Sequence, residues 1–313
     1  MLFAVILFIV GLVLIVKGGD AFVDAASWIA EVSGIPPFIV GATIVSLATT
    51  MPEMLVSVIA AAGGKVDMAV GNAVGSVTAN TAMILAIAMI AMPGIALRAD
   101  YLVKSLLLIG CVATLLAGTQ GGSLSWWASG VLVVLFVMFI AENIRSAKRG
   151  IAASAEEKPT ADKGSVARNL LLFALGAAGI VVGARLLVDS GSAIASSLGV
   201  PESIIAVTIV AVGTSLPELV TTITAILKKQ ASLSAGNVIG ANIIDTALIL
   251  PICSLVSGKQ LPMGPQSLTL DIPVCLLAIL LALAPMLIKQ KFMRWQGFAG
   301  LAVYAAYLVA VIL

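Results

Sequence analysis

GIPPFIVGATIVSLATTMPE, residues 34–53, aligns without a gap with GVPESIIAVTIVAVGTSLPE, residues 199–218. The terminal Pro-Glu pair and the threonine four residues before each glutamate are identical in the two stretches. The same shift of 165 residues places GNAVGSVTANT, residues 71–81, over GNVIGANIIDT, residues 236–246. A repeat at one fixed distance indicates that the chain contains two copies of a single structural unit.

The composition is that of an integral membrane protein. Hydrophobic residues make up 61% of the chain and charged residues only 10%, and the mean hydropathy is +1.17. A soluble surface needs more charge than this. The chain has no histidine, and its three cysteines lie inside apolar runs. The cysteines therefore fit small buried hydrophobic residues better than a disulfide framework or a metal cluster.

Ten apolar runs have about the length, roughly 20 residues, that a helix needs to cross the hydrocarbon of a bilayer. They lie at residues 2–27, 37–62, 67–92, 101–118, 125–143, 169–195, 202–227, 232–257, 267–288 and 294–312. Each half of the chain holds five of them, and five is odd, so the second copy enters the membrane from the opposite side. We therefore predict an all-α integral membrane protein of ten transmembrane helices in two inverted five-helix repeats.

The predicted repeats are residues 1–148 and 166–313, joined by a polar linker at 149–165. With the N-terminus outside, thirteen basic residues fall on the cytoplasmic side and two on the other. The positive-inside rule then predicts a multi-pass protein of the plasma membrane, with both termini outside and the loop 144–168 in the cytoplasm. The thirteen are Arg98, Lys104, Arg145, Lys148, Arg149, Lys158, Lys163, Arg168, Lys228, Lys229, Lys289, Lys291 and Arg294; the two are Lys65 and Lys259.

Three acidic residues, Glu53, Glu218 and Asp245, lie near the centres of predicted spans. A charge at that depth costs roughly 2.5–3.5 kcal/mol on insertion scales, so such residues usually carry a function. Pro52 and Pro217 each remove one helical hydrogen bond directly before a glutamate. We predict that both helices are interrupted there, as in transporters that bind their substrate near the bilayer midplane.

The polar residues around these acids offer only oxygen atoms as ligands. Carboxylate, hydroxyl and amide oxygens suit calcium or sodium and are poor ligands for softer metals. Asn80 occupies the position in the first half that Asp245 occupies in the second. The other candidates are Thr49, Thr50 and Ser76 from the first half and Thr214, Ser215 and Asn242 from the second. Glycines 71, 75, 236 and 240 form two GxxxG patterns, which predict close packing of the third and eighth helices.

The segments GATIVSLATTMPE…GNAVGSVTANT and AVTIVAVGTSLPE…GNVIGANIIDT resemble the two alpha-repeats of the cation/calcium antiporter superfamily, and within it the prokaryotic sodium/calcium exchangers. The resemblance covers both halves of the chain. It implies a secondary antiporter that exchanges calcium for sodium by alternating access, with the first and sixth helices sliding against a core that binds the ions. It also implies a transporter rather than an enzyme, with calcium and sodium as transported ions and no cofactor.

Carried onto this chain, the resemblance implies that Glu53 and Glu218 are the central ligands. The remaining ligands that it implies are Thr49, Thr50, Thr214 and Ser215, the main-chain carbonyls of Ser46 and Ala211, and Ser76, Asn80 and Asp245. The expected partners are the lipid bilayer and the two ions, with no nucleic acid, and the expected functional unit is a monomer.

The chain departs from the family pattern at three positions. Ala48 and Thr50 stand where the usual GTS motif has glycine and serine, and Ala241 stands where the family usually has a hydroxyl such as that of Ser76. Because a methyl group cannot bind a cation, we expect one peripheral sodium site, the one that uses Glu53 and Thr49, to be weakened or absent. The stoichiometry of exchange is then open.

Other functions remain as alternatives. A proton-coupled exchanger of the same superfamily would be expected to use a further acid or a histidine in the third and eighth helices, which offer only Asn80 and Asp245. Potassium-coupled exchange stays open, because these two residues are near the positions expected to matter for it. A cation channel would not need paired interrupted helices. A hydrolase would need a nucleophile and a base, and no motif for them is present.

Overall fold

The computed structural model describes residues 2–96, 98–153, 163–199 and 213–312. Within these ranges the chain forms ten helices, of which eight, all except α7 and α10, are long and apolar enough to cross a membrane. The prediction of an all-α membrane protein is confirmed. The helices are α1 (Leu2–Ser33), α2 (Pro37–Ala62), α3 (Val66–Ala91), α4 (Arg98–Gly118), α5 (Trp126–Ala153), α6 (Lys163–Ser197), α7 (Leu216–Leu227), α8 (Ala231–Ser257), α9 (Ser267–Lys289) and α10 (Arg294–Ile312).

Helices α1, α5 and α6 extend well beyond the apolar runs that predict them. Helix α1 continues to Ser33, six residues past the predicted end at residue 27, and α5 continues to Ala153. Since α6 begins at Lys163, both ends of the predicted linker 149–165 are helical. Polar residues extend a helix into water as easily as apolar ones, so the hydrophobic run marks the membrane and not the end of the helix.

Four short π-helical segments interrupt the regular hydrogen bonding of α2, α3, α8 and α9. They are Gly41–Val45, Asn80–Leu85, Asp245–Ile249 and Ser267–Asp271. The segments of α3 and α8 begin at residues that correspond in the repeat, because 80 and 245 differ by 165. Such segments are rare and are often found at functional sites.

The prediction of an interruption at Pro52 is wrong. Residues Ser46–Ala62 form one α-helix with Pro52 inside it. A proline within a helix removes a single hydrogen bond, here the one to the carbonyl of Ala48, and membrane helices tolerate that loss. Pro217 behaves differently: the described part of α7 begins at Leu216, so this proline lies in the first turn, where its missing N–H has no helical acceptor.

Helices α1 and α6 pack against each other backbone to backbone. A methyl group placed on Gly11 would lie 2.9 Å from the carbonyl oxygen of Gly183, and one placed on Gly18 would lie 2.9 Å from that of Gly176. Because the residue numbers run in opposite directions across the contact, the two helices are antiparallel. Only glycine leaves room for so close an approach.

Helix α8 packs in the same close manner against α2. A methyl group on Gly236 would collide with the carbonyl oxygen of Phe38, and one on Gly240 would meet the carbonyl of Ala42 and the hydroxyl of Ser46. The close packing that the GxxxG pattern predicts is therefore confirmed for α8. For α3 it is wrong, because a methyl group placed on Gly71 or Gly75 would meet nothing within 4 Å. The contact between α8 and α2 places the residues of α8 that follow Gly236 beside the ligand-bearing part of α2.

Two short antiparallel ribbons tie connections of the first half to connections of the second. Strand β1 (Gly94–Ile95) pairs with β4 (Lys291–Phe292), and β2 (Ser123–Leu124) pairs with β3 (Leu261–Pro262). Each ribbon therefore joins two interhelical connections that must lie on one side of the membrane. The main hydrophobic core lies between these ribbons, among α2 to α5, α8 and α9.

Candidate functional site

Three carboxyl groups are buried together where the two halves meet. Glu53 on α2 is 1% exposed, and Glu218 in the first turn of α7 and Asp245 at the start of the π segment of α8 are 0% exposed. Glu53 is close enough to the other two to interact with them electrostatically. Among the described residues, no group of three or more His, Cys, Asp or Glu side chains is arranged to hold a metal ion by itself.

Hydroxyl groups of α2 reach across to the second half of the chain. Thr50 donates a hydrogen bond to Oε1 of Glu218 at 3.1 Å, and Thr49 donates to Oδ1 of Asn237 at 3.2 Å. The hydroxyl of Thr49 also lies 3.3 Å from the carbonyl oxygen of Ser46. The neighbouring threonines of one helix therefore contact α7 and α8, as expected for a site shared between two repeats.

Many oxygen atoms in this region have no hydrogen-bond donor. A buried polar atom without a partner is unusual in a folded protein and costs stability. Within the described part of the chain the unpartnered buried oxygens include both carboxyl oxygens of Glu53 and Asp245, Oε2 of Glu218, the hydroxyls of Ser76 and Ser215, and the amide oxygens of Asn80 and Asn242. A set of acceptors without donors is the environment that a hard cation prefers.

Most of the predicted ligands are buried. Ser76 and Asn80 on α3 are buried, and Asn80 begins a π segment just as Asp245 does. Ser46 is fully buried directly after the π segment of α2. Thr214 is half-buried and lines a small cavity beside the cluster. The remaining predicted ligand, Ala211, lies outside the described residues.

Ala241 is fully buried at the position that corresponds to Ser76. The next residue, Asn242, donates from its side-chain amide to the hydroxyl of Thr81 at 2.8 Å, which leaves its carbonyl oxygen without a donor. The second half thus lacks one hydroxyl but carries an oriented amide oxygen one position further along α8.

Two asparagines of the site were not predicted as site residues. The side-chain amide of Asn72 donates to the main-chain carbonyl oxygen of Glu53 at 3.2 Å and to the hydroxyl of Ser57 at 2.9 Å. Its counterpart in the second half, Asn237, accepts a hydrogen bond from Thr49. Both are the asparagine of the repeated Gly-Asn motif, so the signal was present in the sequence. Their hydrogen bonds go to α2 and not to the carboxyl oxygens of Glu53, Glu218 or Asp245.

Arg185 is also closer to the site than its sequence position suggests. Helix α6 continues for twelve residues beyond Arg185 to Ser197, so this residue lies well inside the helix. Its side chain lines the same cavity as Thr214 and Pro217.

Comparison with known proteins identifies the family of the chain. The family described as sodium/calcium exchanger protein matches residues 3–144 and 168–313. An uncharacterized membrane protein of Methanocaldococcus jannaschii is 32% identical, with 95% of this chain and 94% of that protein covered. The sodium/calcium exchanger MaX1 of Methanosarcina acetivorans is 29% identical, with 97% of each chain covered.

Among solved structures, the sodium-calcium exchanger NCX_Mj, soaked with sodium and strontium, superimposes with a TM-score of 0.84 at 30% identity and 98% coverage of both chains. These matches confirm the resemblance inferred from the two repeated segments, and with it the prediction of an antiporter and not an enzyme. The chain is a multi-pass membrane protein that belongs to the sodium/calcium exchanger family.

Proposed function

We propose that this protein exchanges calcium for sodium across the plasma membrane by alternating access, and that Glu53 and Glu218 bind the ions at mid-membrane. The observation that carries this proposal is the cluster of buried oxygens without donors, contributed by α2, α3, α7 and α8. Bound cations would neutralise the carboxylates and occupy the unpartnered acceptors.

The charge of the cluster supports competition between the two ions. Ionised Glu53 and Glu218 carry two negative charges, which one calcium ion or two sodium ions neutralise. Both ions can therefore use the same oxygens at different times, which is what antiport through one site requires. Asp245, as a third acid in the same place, is proposed to be protonated when the site is loaded.

The other ligands complete the coordination shell in this proposal. Thr50 fixes Glu218, the hydroxyl of Thr49 lies beside the carbonyl oxygen of Ser46, and Ser215 offers a hydroxyl without a partner among the described residues. From α3 and α8 we assign Ser76, Asn80 and Asp245. Thr214, on the cavity, and the carbonyl of Ala211 are assigned from the family resemblance.

We propose that ten transmembrane helices form two inverted repeats, residues 1–148 and 166–313, on either side of the linker 149–165. Helices α1 and α6 correspond in the repeat and pack antiparallel, which fits an inverted pair. The two ribbons support the same symmetry, because each joins a connection of one half to a connection of the other. The family matches the chain in two segments with a gap at the linker.

The proposed orientation has both termini outside and the loop 144–168 in the cytoplasm, because it places thirteen basic residues inside. The ribbon of β1 and β4 would then lie on the cytoplasmic side and that of β2 and β3 on the outside. We further propose that a monomer, within the lipid bilayer, is sufficient for exchange, since both halves of the site come from one chain.

Sodium-driven calcium uptake into proteoliposomes tests the proposal. We expect uptake by the natural protein to follow an outward sodium gradient, and Glu218→Gln to abolish it. Glu31→Gln, which removes an exposed acid at the end of α1, is the matched control and should transport normally. Uptake that persists in Glu218→Gln would contradict the assignment. Parallel measurements with potassium and proton gradients decide between sodium and the other coupling ions.

A further inference from the structure

A small cavity of about 110 Å³ lies between α2, α6 and α7, directly beside the cation cluster. Pro52 and Pro217, which precede the two central glutamates, form part of its wall, and Thr214 forms another part. On the opposite wall α6 contributes Arg185 and Asp189. An ion in this cavity would lie close to a positive charge and within a few residues of both glutamates.

No salt bridge within 4.0 Å neutralises Arg185 in the part of the chain that the structure describes. Asp189, one helical turn further along, lines the same cavity without forming such a contact. The positive charge raises the energy of any cation in the cavity, and because Arg185 is exposed, dissolved salt screens part of this effect.

The corresponding residues of α1 are arranged differently. Asp20 and Asp24 correspond to Arg185 and Asp189 under the shift of 165 residues. Both aspartates contact Lys228 at the end of α7, with distances of 3.5 Å and 2.7 Å from its Nζ. The first half thus has two acids with a shared partner where the second half has one arginine and one acid in a cavity.

We propose that Arg185 determines how the two ions are selected on one face of the membrane. Its charge opposes entry of calcium twice as strongly as entry of sodium, because the Coulomb energy is proportional to the charge of the ion. Compared with a neutral residue, Arg185 therefore weakens uptake of sodium at this face less than uptake of calcium, and it favours release of calcium. The inference rests on the proposed function, and in the proposed orientation the face is the outer one.

A fixed charge cannot change the equilibrium that the ion gradients set. It changes the concentration at which each ion half-saturates the face next to the cavity. On the opposite face the ions do not pass Arg185, so half-saturation there should not depend on it. Asp189, with the opposite charge in the same cavity, offsets part of the effect.

The test compares Arg185→Gln and Arg185→Lys with the natural protein in vesicles of known orientation. If Arg185→Gln lowers the sodium concentration for half-saturation on the outer face by about three-fold, the calcium concentration should fall by about nine-fold, the square of that factor. Raised ionic strength should shrink both changes. Arg185→Lys should behave as the natural protein does, and Arg149→Gln on the exposed end of α5 is the matched control.

Asp189→Asn gives a second, independent measurement, because it should shift half-saturation in the opposite direction. Equal fold-changes for the two ions, or equal changes on both faces, would overturn the proposal and indicate a structural role. The failure of the proposed function has a different signature: the natural protein would show no sodium-dependent uptake, or Glu218→Gln would leave uptake intact. Unchanged half-saturation in Arg185→Gln, with exchange preserved, contradicts only the role of Arg185.

Discussion

Helices α3 and α8 correspond in the repeat, and their backbones agree more closely than their side chains. Each changes from α to π geometry at the corresponding residue, Asn80 in one and Asp245 in the other. Yet one of these residues is neutral and the other is an acid, and Ser76 of α3 is matched by Ala241 in α8. The repeat thus supplies a symmetric frame, and a few substitutions on it make the oxygen cluster asymmetric.

Helices α2 and α7 show the same relation in another form. Both carry a Pro-Glu pair, but Pro52 lies inside a continuous helix and Pro217 lies in the first turn of one. Thr50 reaches Glu218 with a hydrogen bond, whereas its counterpart Ser215 has a hydroxyl without a partner among the described residues. Equivalent positions therefore do not imply equivalent roles, and each can be tested separately.

The largest effect is expected from Glu53→Gln. The change removes one of the two negative charges that we propose bind the ions, and loss of one partner of a buried charge pair costs about 3–5 kcal/mol. We expect calcium uptake in proteoliposomes to fall by at least about 100-fold, as for Glu218→Gln. If Glu53→Gln retained substantial uptake while Glu218→Gln did not, the two halves would contribute unequally to the central site.

A smaller effect, on stability, is expected from Gly236→Ala. The added methyl would collide with the carbonyl oxygen of Phe38, so α8 must move away from α2. Overpacking of this kind costs about 1–3 kcal/mol. Thermal unfolding in detergent should show a lower melting temperature. Gly130→Ala on α5, where a methyl group meets nothing within 4 Å, is the control and should leave it unchanged.

Thr50→Val tests the hydrogen bond that joins the halves. A hydrogen bond to a charged group contributes about 1.5–3 kcal/mol, so we expect calcium to half-saturate uptake at a concentration roughly ten-fold higher. Ser215→Ala removes a hydroxyl that has no protein partner and can act only on a bound ion. Thr50→Val and Ser215→Ala could shift the half-saturating concentrations of calcium and sodium by equal factors. In that case the hydrogen bond from Thr50 to Glu218 would add nothing beyond direct binding of the ion by the hydroxyl.

The smallest expected effect is that of Ala241→Ser, which restores the symmetry of α3 and α8. If the missing hydroxyl weakens a peripheral sodium site, the serine should steepen the dependence of calcium uptake on sodium and lower the sodium concentration required by a few-fold, equivalent to about 1 kcal/mol or less. An unchanged sodium dependence would indicate that another oxygen, such as the amide oxygen of Asn242, already fills the position.

Hydrophobicity and the repeat were enough to predict the apolar helices and to single out three acids that the structure buries. Long apolar runs leave little choice of structure in a membrane, and the acids at 53, 218 and 245 are conspicuous there. The π segments could not be predicted, because they depend on how α3 and α8 pack and not on local residue preferences. The continuous helix through Pro52 shows the same limit, since surrounding helices decide whether one lost hydrogen bond matters.

Arg185 was missed for a related reason. Its distance along the chain from the glutamates gives no sign that α6 passes beside the first turn of α7. Asn72 and Asn237, in contrast, were recognisable from the repeat, although their hydrogen bonds to α2 required the three-dimensional arrangement.

The glycine contacts between α1 and α6 have a mechanical consequence. At these glycines no side chain separates the backbones of the two helices. Because the backbones are in direct contact, a displacement of one helix displaces the other. Under the alternating access proposed above, a movement that shields the ion cluster from one aqueous phase would at the same time expose it to the other. A leak would require both phases to reach the site together, and a rigid pair of helices makes that arrangement difficult to form.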